Sequence, residues 1–448
     1  MDVAIVGGGA SGTLVAVQLL RQARAPWRIA LIERSGALAR GVAYGPAEPC
    51  HLLNVPAAGM SALPDDEDHF VRWSGAAPEA FVARPLYGAY LEALLADAHR
   101  RAAPGISLQL VCGDAIAAAV DGAGPRILLR DGREIRARAA VLALGNLPRR
   151  PPFVPDGGLY ASTLYRRSPW DRGALDGIPP DSEVALLGTG LTMVDAALAL
   201  LQRRHRGRIH ALSRHGLLPQ IHGVPWAPAT HRIGALGVRG LLRALRREAA
   251  RAGDWRKVFD SLRPVTQRLW ARLPDAERRR FLRHARAHWD VHRHRMAPEV
   301  GAAVARLRAS GQLQVISGRV EAFAIDRTGA LLSYRPRAER RICQLRAARV
   351  VNCTGPASSL AEARHPLVQS LLDQGLALPD SLGIGFSTDP DGALLGGNGL
   401  LFTLGALRRG ELWESTAIPE LRSQARSVAT RLVESLSLPC AAEASVGF

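Results

Sequence analysis

Two short segments of this 448-residue chain space their glycines as a nucleotide pyrophosphate demands. In the first, Gly7-Gly8-Gly9-Ala10-Ser11-Gly12 follows an apolar run, Val3 to Val6, and opens a helical stretch from Ser11 to Gln22. Gly7 permits the tight turn, Gly9 lets the backbone approach the phosphates, and Gly12 lets helix and strand pack closely. The helix start, with Ser11 in it, offers free N–H groups and a partial positive charge to those phosphates. Glu33 closes the next strand, 21 residues after Gly12, where an acid takes ribose hydroxyls, and Arg34 follows it. In the second segment, Glu183 to Leu187 leads into Gly188-Thr189-Gly190-Leu191-Thr192-Met193. Two glycines are in place, and Met193 holds the third position, which predicts a helix slightly further from its strand. Ser213-Arg214 ends the following strand, and serine plus arginine in place of an acid suits a 2′-phosphate, hence NADPH rather than NADH.

A third group of side chains bears on a substrate. Arg263, His292, Arg293 and Arg295 lie in one Arg- and His-rich helical stretch, and paired arginines can clamp a carboxylate in bidentate fashion. The plainer explanation is a solvated basic helix face. His288, His292 and His294 suggest a metal, but no acidic or cysteine ligand accompanies them, and no metal is expected. No GxSxG is present, so nothing points to a nucleophile–base triad.

These residues need two strand–turn–helix units to hold them. The reading is α/β, with two Rossmann-like dinucleotide-binding domains, the second inserted in the first, and a helical insertion. The first domain takes 1–155 and 350–448, the second 180–230 and 300–349, and the basic helical insertion 231–299, with the substrate site placed there. Leu108 to Val120 reads as sheet. Composition agrees with a multidomain globular chain: 47% hydrophobic and 22% charged residues. The net charge of +18 is almost all arginine, since Lys257 is the only lysine. Residues 231–300 hold 18 Lys/Arg against 7 Asp/Glu. We read this excess as composition bias and a solvated surface, not a nucleic-acid site. Five cysteines without a CxxC pair imply reduced thiols and a cytoplasmic protein. The uncharged stretch from Val3 to Leu20 is broken by glycines and is not a membrane span. The oligomeric state is left open.

Longer words carry a family resemblance. Gly41-Val42-Ala43-Tyr44-Gly45, His51-Leu52-Leu53-Asn54-Val55-Pro56, Gly188 to Asp195, and Trp413 to Arg422 together resemble the bacterial FAD-NAD(P)-binding family over essentially the whole chain. More distantly, the chain is similar to class B flavin monooxygenases, the flavin-containing and N-hydroxylating enzymes. Asn54 followed by Met60-Ser61-Ala62-Leu63-Pro64-Asp65 resembles their Asn-containing segment beside the flavin. The resemblance implies FAD and NADPH as cofactors. It puts Tyr44, Met60, Gly145, Gly355, Gly405, Thr416 and Ile418 on the cofactors, with Val351 to Pro356 crossing back into the FAD domain. The Asn54 amide would bond NADP⁺ or the flavin C4a-hydroperoxide, or the segment would simply cover the isoalloxazine ring. The implied reaction is oxygen insertion from O₂ into a small polar substrate, an amine or amino acid. The alternatives are an NAD(P)H oxidoreductase or amine oxidase without oxygen insertion, and a flavin-bearing redox sensor.

Overall fold

A computed structural model describes residues 1–223 and 237–437. The expected 230/231 boundary, Gly234 and Cys440 lie outside the described residues.

Val3–Val6 (β1) is buried at every position, as a strand covered on both faces requires. It pairs in parallel with Arg28–Glu33 (β2), which pairs with Ser107–Cys112 (β3). On its other side β1 pairs with Ala139–Leu142 (β7), which pairs with Leu401–Thr403 (β15). The order β15-β7-β1-β2-β3 reverses direction at β1, and ligands of such sheets bind outside the strand ends at that switch point. Helices Ala10–Gln22 (α1) and Arg84–Arg100 (α2) cover one face with the terminal helix Ile418–Ser437. Each aliphatic side chain fully buried there contributes about 1.5–3 kcal/mol.

The stretch 108–120, read as one piece of sheet, is two strands. Cys112 pairs with Glu33, and Ala115–Asp121 (β4) starts an antiparallel meander with Gly124–Leu129 (β5) and Glu134–Arg136 (β6). The break falls at Gly113, where a Cβ would lie 2.7 Å from Leu129 Cδ1.

The second sheet runs Tyr165–Arg166 (β8), Arg349–Asn352 (β14), Val184–Leu187 (β9), Ile209–Ser213 (β10), Leu313–Asp326 (β11), Gly329–Pro336 (β12) and Cys343–Ala347 (β13). β14 pairs with β9 in this sheet, so the chain crosses back only at Cys353 to Gly355. Leu191–Gln202 (α3) follows β9. Between β10 and β11 stand Val238–Ala252 (α4), Trp255–Leu262 (α5), Thr266–Arg272 (α6), Arg286–Arg293 (α7) and Pro298–Ala309 (α8). The insertion rests on the terminal segment of the first domain. Trp270 stacks on Trp413 with ring centroids 4.9 Å apart and donates from Nε1 to Gly410 O at 2.7 Å. Among the described residues, no helix is long and apolar enough to cross a membrane.

Candidate active site

At the end of β1 the chain turns through Gly7 at φ +108°, its N–H bonded to Ile32 O at 2.9 Å. A Cβ on Gly7 would sit 2.3 Å from Ala143 O, and one on Gly12 would sit 1.9 Å from Gly7 O, so neither position accepts a side chain. Gly9 lies against Gly41, whose φ is +52°. No side chain caps α1, so its first N–H groups, Ser11 among them, stay available to an anion. Glu33 is oriented by three donors: Gly8 N–H at 2.9 Å, Ser35 N–H at 2.9 Å and Ser35 Oγ–H at 2.8 Å. Arg34 beside it is exposed.

The last segment of the chain returns to this turn. Gly405, at φ +74°, would bring a Cβ within 3.6 Å of Ser11 Oγ. Gln424 Oε1 accepts from Gly405 N, and Ser415 Oγ donates to Gly405 O at 2.6 Å. Thr416 is exposed just before Ile418 starts the terminal helix. Gly145 and Gly355 both have positive φ and open space where a Cβ would stand. The uncapped helix, the glycine contacts and the oriented acid fit the adenosine pyrophosphate of FAD. Tyr44 and Met60 are instead buried in the core, Tyr44 with its ring 4.8 Å from Tyr87 and its hydroxyl pushed up by burial to about 12.

The second turn repeats the first with one change. Gly188, at φ +114°, would place a Cβ 2.5 Å from Cys353 O, while Gly190 faces open space. Met193, in the place of the third glycine, is fully buried in the core between sheet and helix. Thr192 is half-buried at the uncapped start of α3. Thr189 Oγ1 bonds Ser213 Oγ at 2.9 Å, which ties the turn to the end of β10, and Arg214 projects into solvent beyond it.

Asn54 lies between these two units. Leu53 N–H bonds Val82 O on the first-domain side, and His222 Nε2 lies 3.0 Å from Asn54 O on the other. Burial pushes His222 down to about 4, with Arg295 adding to the shift, so the ring is neutral and Nε2–H donates. The side-chain amide of Asn54 has no hydrogen-bond partner among the described residues. The same segment is clamped to α3: His51 Nε2 bonds Asp195 O at 3.1 Å, and Arg84 pairs with Asp195 at 2.8 Å while donating to Leu52 O.

The insertion cations selected from sequence face carboxylates already. Arg263 pairs with Glu420 at 3.1 Å, Arg293 with Glu414 at 2.6 Å, and Arg295 with Asp260. His292 bonds His288 O and stacks on Phe259. Arg263 and Arg293, with Trp289 Nε1 donating to Glu414 at 2.7 Å, fasten the insertion to the FAD-side terminal segment. Sequence reasoning missed a different set. Arg286 and His294, at the two ends of α7, share Asp290 at 3.4 and 4.0 Å. Arg409 donates to Asn146 Oδ1 at 3.0 Å.

A protein-family model described as FAD-NAD(P)-binding matches residues 4–147. This stretch is an FAD-NAD(P)-binding domain. A comparison with curated proteins finds no match. Among solved structures, the chain is similar to an ornithine N-hydroxylase from Kutzneria sp. 744 with reduced FAD, NADP⁺ and L-ornithine. That likeness has 16% identity and TM-score 0.69, covering 97% of this chain and 99% of that one. An ornithine hydroxylase from Pseudomonas aeruginosa is 15% identical at TM-score 0.67, with 97% and 99% covered. An FAD-bound cadaverine monooxygenase from Erwinia amylovora is 12% identical at TM-score 0.67, with 97% and 94% covered. The two-domain FAD/NAD(P) flavoprotein fold therefore extends along the whole chain.

Proposed function

We propose that the protein is an FAD-dependent, NADPH-using monooxygenase that hydroxylates a small polar amine, amino acids included. The observation that carries this is Asn54. Its amide has no hydrogen-bond partner among the described residues, while His222 bonds its carbonyl from one domain and Val82 O holds the neighbouring Leu53 N–H from the other. A side chain positioned in this way can hold a bound ligand by two hydrogen bonds without first breaking any of its own.

Bound FAD would supply the redox chemistry, accepting electrons from NADPH and passing them to O₂. The chain does the rest. The Gly7–Gly12 turn and the start of α1 hold a pyrophosphate, and Glu33 holds the ribose. The Gly188–Gly190 turn and the start of α3 hold the second nucleotide, with Arg214 placed for a 2′-phosphate. Asn54 orients the nicotinamide and the oxygen-bearing reactant by donating from its amide nitrogen and accepting at its carbonyl. The Trp270–Trp413 stack holds the insertion against the FAD-side segment. Support also comes from the likeness to an ornithine N-hydroxylase, an ornithine hydroxylase and a cadaverine monooxygenase.

The test is to load the protein with FAD, supply NADPH, O₂ and candidate amines, and measure hydroxylamine product against hydrogen peroxide. Hydroxylamine tracking NADPH consumption is the expected result. Peroxide alone, with every amine unchanged, points to an NAD(P)H oxidase or reductase.

A further inference from the structure

A cleft of about 280 Å³ opens on the second domain, away from both nucleotide turns. Its walls come from 175–180, ahead of β9, and from the last turn of α3 with the residues just after it. The Gly188–Gly190 turn lies at the opposite end of α3, whose 12 residues span about 18 Å. Leu175, Ile178 and Leu200 supply apolar surface, and Asp176, Arg203 and His205 supply polar groups. At about 30 Å³ per water the cleft has room for about nine waters, which suits one small ring and not a nucleotide.

His205 is the group in the cleft that lacks a partner. α3 ends at Arg203, Arg204 takes φ +60°, and His205 N–H turns back onto Leu200 O at 3.0 Å, the left-handed close of a helix. Arg206 N–H and Gly207 N–H both bond Pro180 O, and Gln312 Nε2 donates to His205 O at 2.6 Å. These bonds fix the backbone that carries the imidazole, and the residue is only 4% exposed. Pro179 O is close enough to act on the ring, yet neither Nδ1 nor Nε2 makes a hydrogen bond among the described residues. Burial lowers the pKa of the ring, so at pH 7 it is neutral and offers one N–H and one lone pair. A buried polar ring without partners costs free energy that a hydrogen-bonding ligand offsets.

The charged groups around it are matched already. Arg203 Nη1 bonds both oxygens of Glu48 at 2.6 and 2.8 Å, and its Nη2 lies 3.5 Å from Asp176. Asp181 pairs with Arg206 at 2.8 Å. The cleft therefore calls for neither an anion nor a cation. A hydroxyl both donates and accepts, so it meets whichever imidazole nitrogen faces it. We propose that this cleft is a second ligand site for a neutral ring bearing a hydroxyl, with the hydroxyl on His205 and the ring against Leu175, Ile178 and Leu200. Its occupant is an auxiliary ligand and not the molecule oxidised, whatever reaction the nucleotide turns serve.

Protein loaded with FAD and NADP⁺ is titrated at about pH 7 against 4-fluorophenol, 1,4-difluorobenzene and 4-fluorobenzoate, with binding read from ¹⁹F line broadening. The three probes differ only in a hydroxyl, a fluorine or a carboxylate. 4-Fluorophenol binds about tenfold tighter than 1,4-difluorobenzene, the worth of one hydrogen bond, and tighter than 4-fluorobenzoate. His205→Phe keeps a ring without a hydrogen-bonding atom and brings the first ratio to about one. Ile178→Trp fills the cleft and removes the binding of both neutral probes. FAD content of each variant checks its fold. Absence of broadening with 4-fluorophenol, a hydroxyl preference that survives His205→Phe, or tightest binding of 4-fluorobenzoate overturns the site. Should His205→Phe fail to fold, Ile178→Trp decides, and 4-fluorophenol bound to it as tightly as before overturns the site as well.

Discussion

Replacing Arg84 by Met removes one half of an ion pair that joins the two domains. Asp195 is 5% exposed, the pair is 2.8 Å apart, and the Arg84 side chain is 14% exposed. Burial already raises the Asp195 carboxyl above the usual range, outweighing the attraction of Arg84 and His51. Without Arg84 the carboxylate remains buried and unpaired, at a cost of about 3–5 kcal/mol at neutral pH. Arg84 also donates to Leu52 O, two residues before Asn54, so the strand carrying Asn54 loosens as well. The direction with pH follows from the raised carboxyl. The folded state takes up its proton more readily than the unfolded chain, so the deficit is full at neutral pH and shrinks as pH falls through the raised value. Arg84→Met combined with Asp195→Asn regains much of the loss, because no buried charge remains. Urea unfolding of the unaltered protein and the two variants, followed by tryptophan fluorescence across pH, measures all of this. A loss below about 1 kcal/mol, as for a surface pair, or a deficit that does not vary with pH, refutes the reasoning.

Four further outcomes are expected. Gly190→Ala meets open space, so stability shifts by about 1 kcal/mol or less while NADPH affinity falls; urea unfolding and NADPH titration on one sample separate the two. Glu414→Gln leaves Arg293 without its acid and removes one of the ties between the insertion and the terminal segment, which limited proteolysis detects as faster cleavage within 237–297. His222 and His294 are both held near 4, against about 6.5 in an unfolded chain. Below about 6.5 the unfolded chain takes up protons that the folded one refuses, so stability drops between about pH 6.5 and 4 and this contribution then levels off. Acid titration of unfolding checks it, and His222→Gln flattens the slope. Asn54→Ala should lower the fraction of NADPH consumption that yields product by about tenfold, with NADPH affinity changed far less.

Both nucleotide turns are legible in the sequence because their constraint is local. Gly7, Gly12 and Gly188 each approach a backbone carbonyl too closely for any Cβ, so glycine identity and spacing report the fold directly. The third glycine is dispensable where Met193 stands, since its side chain fills the core between strand and helix. Tyr44 and Met60 are both buried, a degree of enclosure that the motif alone does not report. The arginines of the insertion likewise depend on the fold for their partners. Composition shows the cations, but only the fold brings Glu414, Glu420 and Asp260 to Arg293, Arg263 and Arg295.

The central claim is oxygen insertion into an amine. The most direct measurement is a single turnover in which the FAD-loaded protein is reduced by NADPH without oxygen, then mixed with ¹⁸O₂ and L-ornithine or L-lysine, and the product is weighed by mass spectrometry. The account predicts a hydroxylamine carrying one ¹⁸O atom, with its yield reduced in Asn54→Ala. Unlabelled amine with the label recovered only in hydrogen peroxide would contradict it.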